Sequence, residues 1–173
     1  GKLRNMDIAP VVGDLVMVDT DKQVIEKVLK RKNYLERPLI SNIDKLLIVM
    51  STAIPAFSSY LIDKFLIIAK SNNIEPIIVI TKIDMTSLKE KIEIKKYIKY
   101  YKKIGIKVYI NKDVSKIKKE FKGCVVALCG QTGAGKSTFI NKIDNKLNLE
   151  TNEISKVLGR GKHTTRMVTL YNY

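Results

Sequence analysis

The chain has 173 residues and a mass of 19.7 kDa, room for one sizeable core or for one medium domain plus a piece of another. Hydrophobic content is 45%, yet no apolar run approaches the ~18 residues of a membrane span, and no secretory signal is visible at Gly1. The expectation is a cytoplasmic globular protein without a membrane partner, its start trimmed, with Cys124 and Cys129 as buried free thiols because their spacing is not that of a CxxC metal site.

The net charge of +15 and the pI near 9.7 suit a polyanionic partner such as nucleic acid, although a Lys-, Ile- and Asn-rich composition alone also produces such a balance.

Residues 1–38 alternate apolar and polar side chains around a Gly13-Asp14 turn and a polar DTDKQ turn, the pattern of short β-strands joined tightly. The stretch is too short for a closed barrel and reads as the rear part of one. Arg37-Pro38 punctuates it, and SNID reads as a linker.

From Leu46 the rhythm changes. LLIVMS has the near-continuous apolar character of a buried parallel strand. A helix follows, with Leu61, Phe65 and Ile68 on a common face, and then a second buried strand over 76–82. Ser87 is placed to cap an amphipathic helix that Gly105 stops. IKVYI is a third strand, VSKIKKEF a short helix, and CVVALC a fourth strand that feeds a Gly-rich loop and a helix from Lys136. Strand–helix alternation of this kind predicts an α/β domain, a parallel sheet with helices on both faces.

Two stretches carry chemistry. Gly130-Gln131-Thr132-Gly133-Ala134-Gly135-Lys136-Ser137 fits G-x-x-x-x-G-K-S/T, between a buried strand and a helix. Its glycines let backbone N–H groups converge on phosphate oxygens, and the dipole of the following helix adds positive charge at that point. Lys136 is placed for the β and γ phosphates, the Ser137 hydroxyl for Mg²⁺, and Thr138 completes the loop. Upstream, Thr81-Lys82-Ile83-Asp84 follows a strand end, where open α/β sheets present ligand groups. An Asp84 carboxylate there accepts from guanine N1–H and the exocyclic amine, a donor pair adenine lacks. The Lys82 stem is placed to lie over the base, and its head to tie the loop to the phosphate loop.

Near the end, GRGKHTTRMVTLYNY places a polar, Gly-rich segment after the last helix, where a nucleotide switch belongs. Thr165, with Thr164 as the alternative, is the candidate to complete the Mg²⁺ shell, and His163, the single histidine, the candidate to orient water.

TKID, then GQTGAGKSTFIN, then GRGKHTT, preceded by GDLV and RKNYLERP, closely resembles the RsgA (YjeQ) family of ribosome small-subunit-dependent GTPases. The base-reading loop precedes the phosphate loop, as in that family's circularly permuted GTPase domain, whose sheet still holds both loops in their usual places. The resemblance implies a partial OB-fold over 1–38 that contacts rRNA, and the permuted domain over 39–173. It further implies a DxPG loop and a zinc-binding C-terminal domain beyond Tyr173, so that the chain is a fragment carrying no Zn²⁺ of its own. The sequence departs from the family at Asn111-Lys112, where a Ser-Ala pair usually supports the base, and at Arg166, where a third threonine is common. The implied function is that of a monomeric GTP hydrolase that binds the small ribosomal subunit during late maturation and leaves on hydrolysis. The rival readings are a nucleotide-regulated RNA-binding module with incidental hydrolysis, and a permuted GTPase acting on the large subunit, against which the β-rich PVVGDLV segment speaks.

Overall fold

A computed structural model describes residues 8–36 and 38–146, which form two compact units, one running to Ile43 and one beginning at Asp44. The first unit contains two antiparallel pairs. β1 (Val16–Asp19) pairs with β2 (Val24–Val28), with a register shift at Met17/Val18, and β3 (Tyr34–Glu36) pairs with β4 (Leu39–Ser41). The polar turn between β1 and β2 is closed by Asp19, which accepts from the Lys22 backbone N–H at 2.9 Å and its ammonium at 2.6 Å. Pro38 falls in the turn of the β3–β4 hairpin, and the SNID stretch begins in β4 with Ser41.

Asp14 organises this unit. Its carboxylate accepts from Arg31 Nε and Nη2, both at 2.8 Å, from the Ser41 hydroxyl at 2.6 Å and from Val11 N–H at 2.8 Å. The Arg31 hydrogen bonds, helped by Ser41 and Val11, hold the Asp14 carboxyl far below the usual carboxylate range although burial opposes them. Beside it, Gly13 has φ +91°, and a Cβ there would lie 2.3 Å from the Ser41 carbonyl oxygen, so the turn admits only glycine.

The second unit is built on four parallel strands: β5 (Lys45–Ser51), β6 (Glu75–Thr81), β7 (Lys107–Ile110) and β8 (Val126–Gly130), in spatial order β7-β6-β5-β8. Four helices alternate with them: α1 (Ser59–Ser71), α2 (Leu88–Lys103), α3 (Val114–Phe121) and α4 (Lys136–Ile143). Local chemistry sets the ends. Ser58 caps α1 by accepting from Leu61 N–H at 3.3 Å; Ser87 and Glu90 form a reciprocal capping box at α2, and Gly105 at φ +83° ends it.

Side chains alternate across a strand, so each buried strand feeds two faces. Leu47, Val49, Ile77 and Val79 point to one face and pack with Ile117 of α3 and Phe139 and Ile143 of α4. Leu46, Ile48, Met50, Ile78 and Ile80 point the other way and are equally buried; α1 touches β5 and β6 on that side, and α2 touches β7. Helices therefore cover both faces, as the alternation predicts. The inward stripe of α1 is Ile62, Leu66 and Ala69, one residue round from the expected Leu61, Phe65 and Ile68, which are half-buried at its flank. The helix is apolar over most of its circumference, and the sheet, not the period, selects the face.

At the amino ends of the strands the polar groups are paired. Glu120 of α3 accepts from Lys45 and Lys107, each at 2.9 Å, and from the Tyr109 hydroxyl at 2.8 Å. Burial pushes the Glu120 carboxyl up, but these three donors outweigh it and hold it down at about 2. No helix among the described residues is long and apolar enough to cross a membrane.

Candidate nucleotide site

Connections decide where a ligand can sit. From β5 the chain passes through α1 to β6 and on to β7, whereas β8, on the other flank of β5, continues into α4 on the opposite face. The loops leaving β5 and β8 thus diverge, and the crevice at the carboxyl ends of these strands is the topological switch point where open α/β sheets bind ligands.

The Gly-rich loop lies there. β8 approaches β5 so closely at Gly130 that a Cβ would stand 2.0 Å from the Val49 carbonyl oxygen, and the residue adopts φ +136°. The loop turns at Gln131–Ala134, with Ala134 N–H donating to the Gln131 carbonyl at 3.2 Å. Gly135, at φ +86°, starts α4 with no side-chain cap, which leaves the first N–H groups of that helix to other acceptors. The Lys136 ammonium bends back to donate to the Gly130 and Gln131 carbonyls at 3.0 and 2.8 Å. Burial lowers its pKa, an unfavourable setting for a cation that a phosphate at the loop would offset. Ser137 is half-buried on the first turn of α4; Thr132 and Thr138 are exposed. Cys129, just before the loop, is free, and burial pushes its thiol up to about 12, away from thiolate character. Cys124 is also free; each cysteine is half-buried as a residue, and at Cys129 the thiol itself is the buried part.

The Thr81–Asp84 loop sits beside it. Thr81, 3% exposed, ends β6, and its hydroxyl donates to the Ala134 carbonyl of the Gly-rich loop at 2.7 Å. This one bond joins two loops separated by 53 residues of chain. Lys82 follows in the left-handed region at φ 58°, unusual for a residue with a side chain, and opens a 3₁₀ turn over Ile83–Met85. The turn is braced by a buried threonine network. Thr52, from the loop after β5, donates to the Thr81 carbonyl at 3.0 Å and meets the Thr86 hydroxyl at 2.7 Å; Thr86 in turn lies 3.2 Å from the Lys82 carbonyl. Ile83 is half-buried, and Asp84 is exposed at the lip, free to face a ligand.

One expected contact is corrected. The Lys82 ammonium does not reach the Gly-rich loop; it donates to the Ile54 carbonyl at 2.6 Å, in the loop after β5. Thr81 makes the link instead. Reading the sequence also missed Thr52 and Thr86, which carry no motif and meet only because β5 and β6 are neighbours. Two buried acceptors at this end of the sheet lack partners among the described residues: Gln131 Oε1 in the Gly-rich loop and Asn111 Oδ1. Asn111 directly follows β7, its N–H donating to the Ile80 carbonyl at 2.9 Å, so it flanks the Thr81–Asp84 loop. His163, Thr164, Thr165 and Arg166 lie outside the described residues. Among the described residues no group of three His, Cys, Asp or Glu side chains could hold a metal. Side chains here thus offer an ion hydroxyls such as Ser137, a donor set that fits Mg²⁺ held mainly by phosphate oxygens.

Comparison with known proteins agrees with this geometry. The family model described as RsgA GTPase matches residues 23–173. The chain is similar to a protein of Halalkalibacterium halodurans named small ribosomal subunit biogenesis GTPase RsgA, 45% identical over 98% of this chain and 60% of the relative. A Staphylococcus epidermidis protein of the same name is 47% identical over 99% of this chain and 61% of its own length. The chain therefore spans about three fifths of the curated relatives it matches. Among solved structures it resembles YjeQ from Thermotoga maritima, with a TM-score of 0.72 and 31% identity over 83% of this chain and 54% of that one. It also resembles YloQ, described as a circularly permuted GTPase, with a TM-score of 0.69 and 34% identity over 83% of this chain and 53% of that one.

Proposed function

The chain belongs to the RsgA GTPase family, and from that premise we propose that it binds GTP with Mg²⁺ across the loops after β6 and β8 and hydrolyses it as a factor in late maturation of the small ribosomal subunit. The observation that supports this reading is the hydrogen bond from Thr81 to Ala134, because it brings the Thr81–Asp84 loop beside the Gly-rich loop at the switch point.

Each residue then has a task. Asp84 accepts from guanine N1–H and the exocyclic amine, while the stem of Lys82, its ammonium anchored on Ile54, supports the plane of the base. Backbone N–H groups of residues 131–137 and the Lys136 ammonium hold the phosphates, with Lys136 exchanging loop carbonyls for phosphate oxygens. The Ser137 hydroxyl, with Thr165, holds Mg²⁺, which when bound neutralises charge developing on the phosphate oxygens. His163 orients the attacking water. The residues over 1–38 form part of an OB-fold that contacts rRNA, those over 39–173 the permuted GTPase domain, and the protein works in the cytoplasm as a monomer that dissociates from the subunit after hydrolysis.

GTP turnover measured with and without purified small subunits tests the proposal. The rate should rise when small subunits, and not large ones, are added. A rate indifferent to subunits would leave an RNA-binding module with incidental hydrolysis.

A further inference from the structure

The Thr81–Asp84 loop holds a backbone conformation that its own sequence disfavours. Lys82 sits at φ 58° and ψ 24°, in the left-handed region, where a Cβ crowds the backbone and glycine is the usual occupant. A residue with a side chain persists there only when its surroundings over-determine it. Asp84 lies two residues on, in the 3₁₀ turn that Lys82 opens, so the direction of its carboxylate depends on that twist.

Two threonines, one from the loop after β5 and one from the end of the turn itself, hold the twist. The carbonyl of Thr81, on one side of Lys82, accepts from the Thr52 N–H at 3.1 Å and the Thr52 hydroxyl at 3.0 Å. The carbonyl of Lys82 itself accepts from the Met85 N–H at 3.0 Å and lies 3.2 Å from the Thr86 hydroxyl. The Thr52 and Thr86 hydroxyls meet at 2.7 Å, which ties the two loops side chain to side chain. Each hydroxyl has one hydrogen to give. Either Thr86 donates to Thr52 and Thr52 to the Thr81 carbonyl, or Thr52 donates to Thr86 and Thr86 to the Lys82 carbonyl. In both orders one hydrogen closes the pair and the other reaches a carbonyl flanking the left-handed residue.

Burial decides which of these contacts holds the loop. Thr52 and Thr86 are 4% and 6% exposed, so water does not compete for their hydrogens, whereas the Lys82–Ile54 bond lies at the surface. Asp84 stands between the two tied points, the Thr81 carbonyl before it and Thr86 after it. A short turn pinned by buried hydrogen bonds at both ends presents its side chains in one direction.

We propose that Thr52 and Thr86 are positioning residues for base recognition: by pinning the loop on both sides of Asp84 they aim its carboxylate at the guanine N1–H and exocyclic amine. Guanine selectivity is then set partly through residues that read no base themselves. The proposal rests on the GTP-binding reading above. It is separate from the part played by Thr81, whose hydroxyl joins this loop to the Gly-rich loop; the Thr52–Thr86 pair orients the base loop alone.

Titration calorimetry of the full chain with GDP, inosine diphosphate and pyrophosphate tests it. Inosine diphosphate lacks the exocyclic amine, so the original chain should favour GDP over it by about tenfold or more, the worth of a hydrogen bond to a carboxylate. Thr52→Val and Thr86→Val keep the side-chain outline without the hydroxyl. Each should shrink that preference about fivefold or more, while pyrophosphate, which touches only the Gly-rich loop, binds unchanged. Pyrophosphate binding also reports that a variant is folded. Thr52→Ser and Thr86→Ser return the hydroxyl and should restore the preference. A preference intact in both valine variants, a preference that serine fails to restore, or all three ligands weakened by one common factor would overturn the positioning role. An original chain that binds no GDP, or binds the two nucleotides equally, would count instead against the GTP reading.

Discussion

Thr81→Val removes one hydroxyl from the junction of the two nucleotide loops and replaces it with a methyl of similar size. The hydrogen bond it abolishes is 2.7 Å long, and the acceptor, the carbonyl of fully buried Ala134, stays out of water. Leaving a buried acceptor unpaired costs about 1–3 kcal/mol. If the bond serves to hold the loops in register, that cost falls on ligands that bridge them, since a spanning ligand must restore the alignment itself. GDP affinity should drop about five- to hundredfold, the same free energy read as an equilibrium constant. Guanosine, which touches only the base loop, and pyrophosphate, which touches only the phosphate loop, should bind as to the unaltered protein. Thr81→Ser keeps the hydroxyl and should restore most GDP affinity. Titration calorimetry with the three ligands separates the cases. GDP bound as tightly by Thr81→Val as by the original chain, or all three ligands weakened alike, would refute the positioning role.

Asp84→Asn exchanges a double acceptor for an amide with one donor and one acceptor, so GTP should lose its preference over ATP while xanthosine triphosphate gains; competition against fluorescent GDP measures this. His163→Ala should slow single-turnover hydrolysis with GTP affinity nearly unchanged, tested on the full-length protein. Glu120 gives a pH signature. Its folded pKa, about 2, lies below the ordinary 4.5, so its stabilisation is complete above about pH 4.5 and fades as pH falls through that value toward 2. Denaturant melts of Glu120→Gln should show a loss of about 1–3 kcal/mol at pH 7 that shrinks over this window; a loss constant with pH would contradict the assignment.

Local signals were legible in this chain wherever the deciding physics was local. Ser87 with Glu90 and then Gly105 bracket α2, VSKIKKEF coincides with α3, and the Gly-rich loop begins and ends where its glycines require. The division between units was less legible. Arg37-Pro38 looks like a boundary, but Leu39–Ser41 is pulled back into pairing with Tyr34–Glu36, so the second unit begins only at Asp44. A Pro can punctuate a hairpin as well as a linker, and strand pairing across it is what distinguishes the two.

The amino-acid sequence alone carries the proposed kind of site: a Gly-rich loop suited to phosphate, an Asp suited to a base, and the reversed order of the two. Those depend on residue types within a few positions of one another. Only the tertiary structure decided how the two loops are joined. The Thr81 hydroxyl, the Thr52–Thr86 pair and the Lys82–Ile54 bond all connect residues 28 to 53 positions apart. Such contacts follow from which strand lies next to which. In the order β7-β6-β5-β8, β5 separates the base-reading strand from the phosphate strand, so the loops must lean across its end to meet.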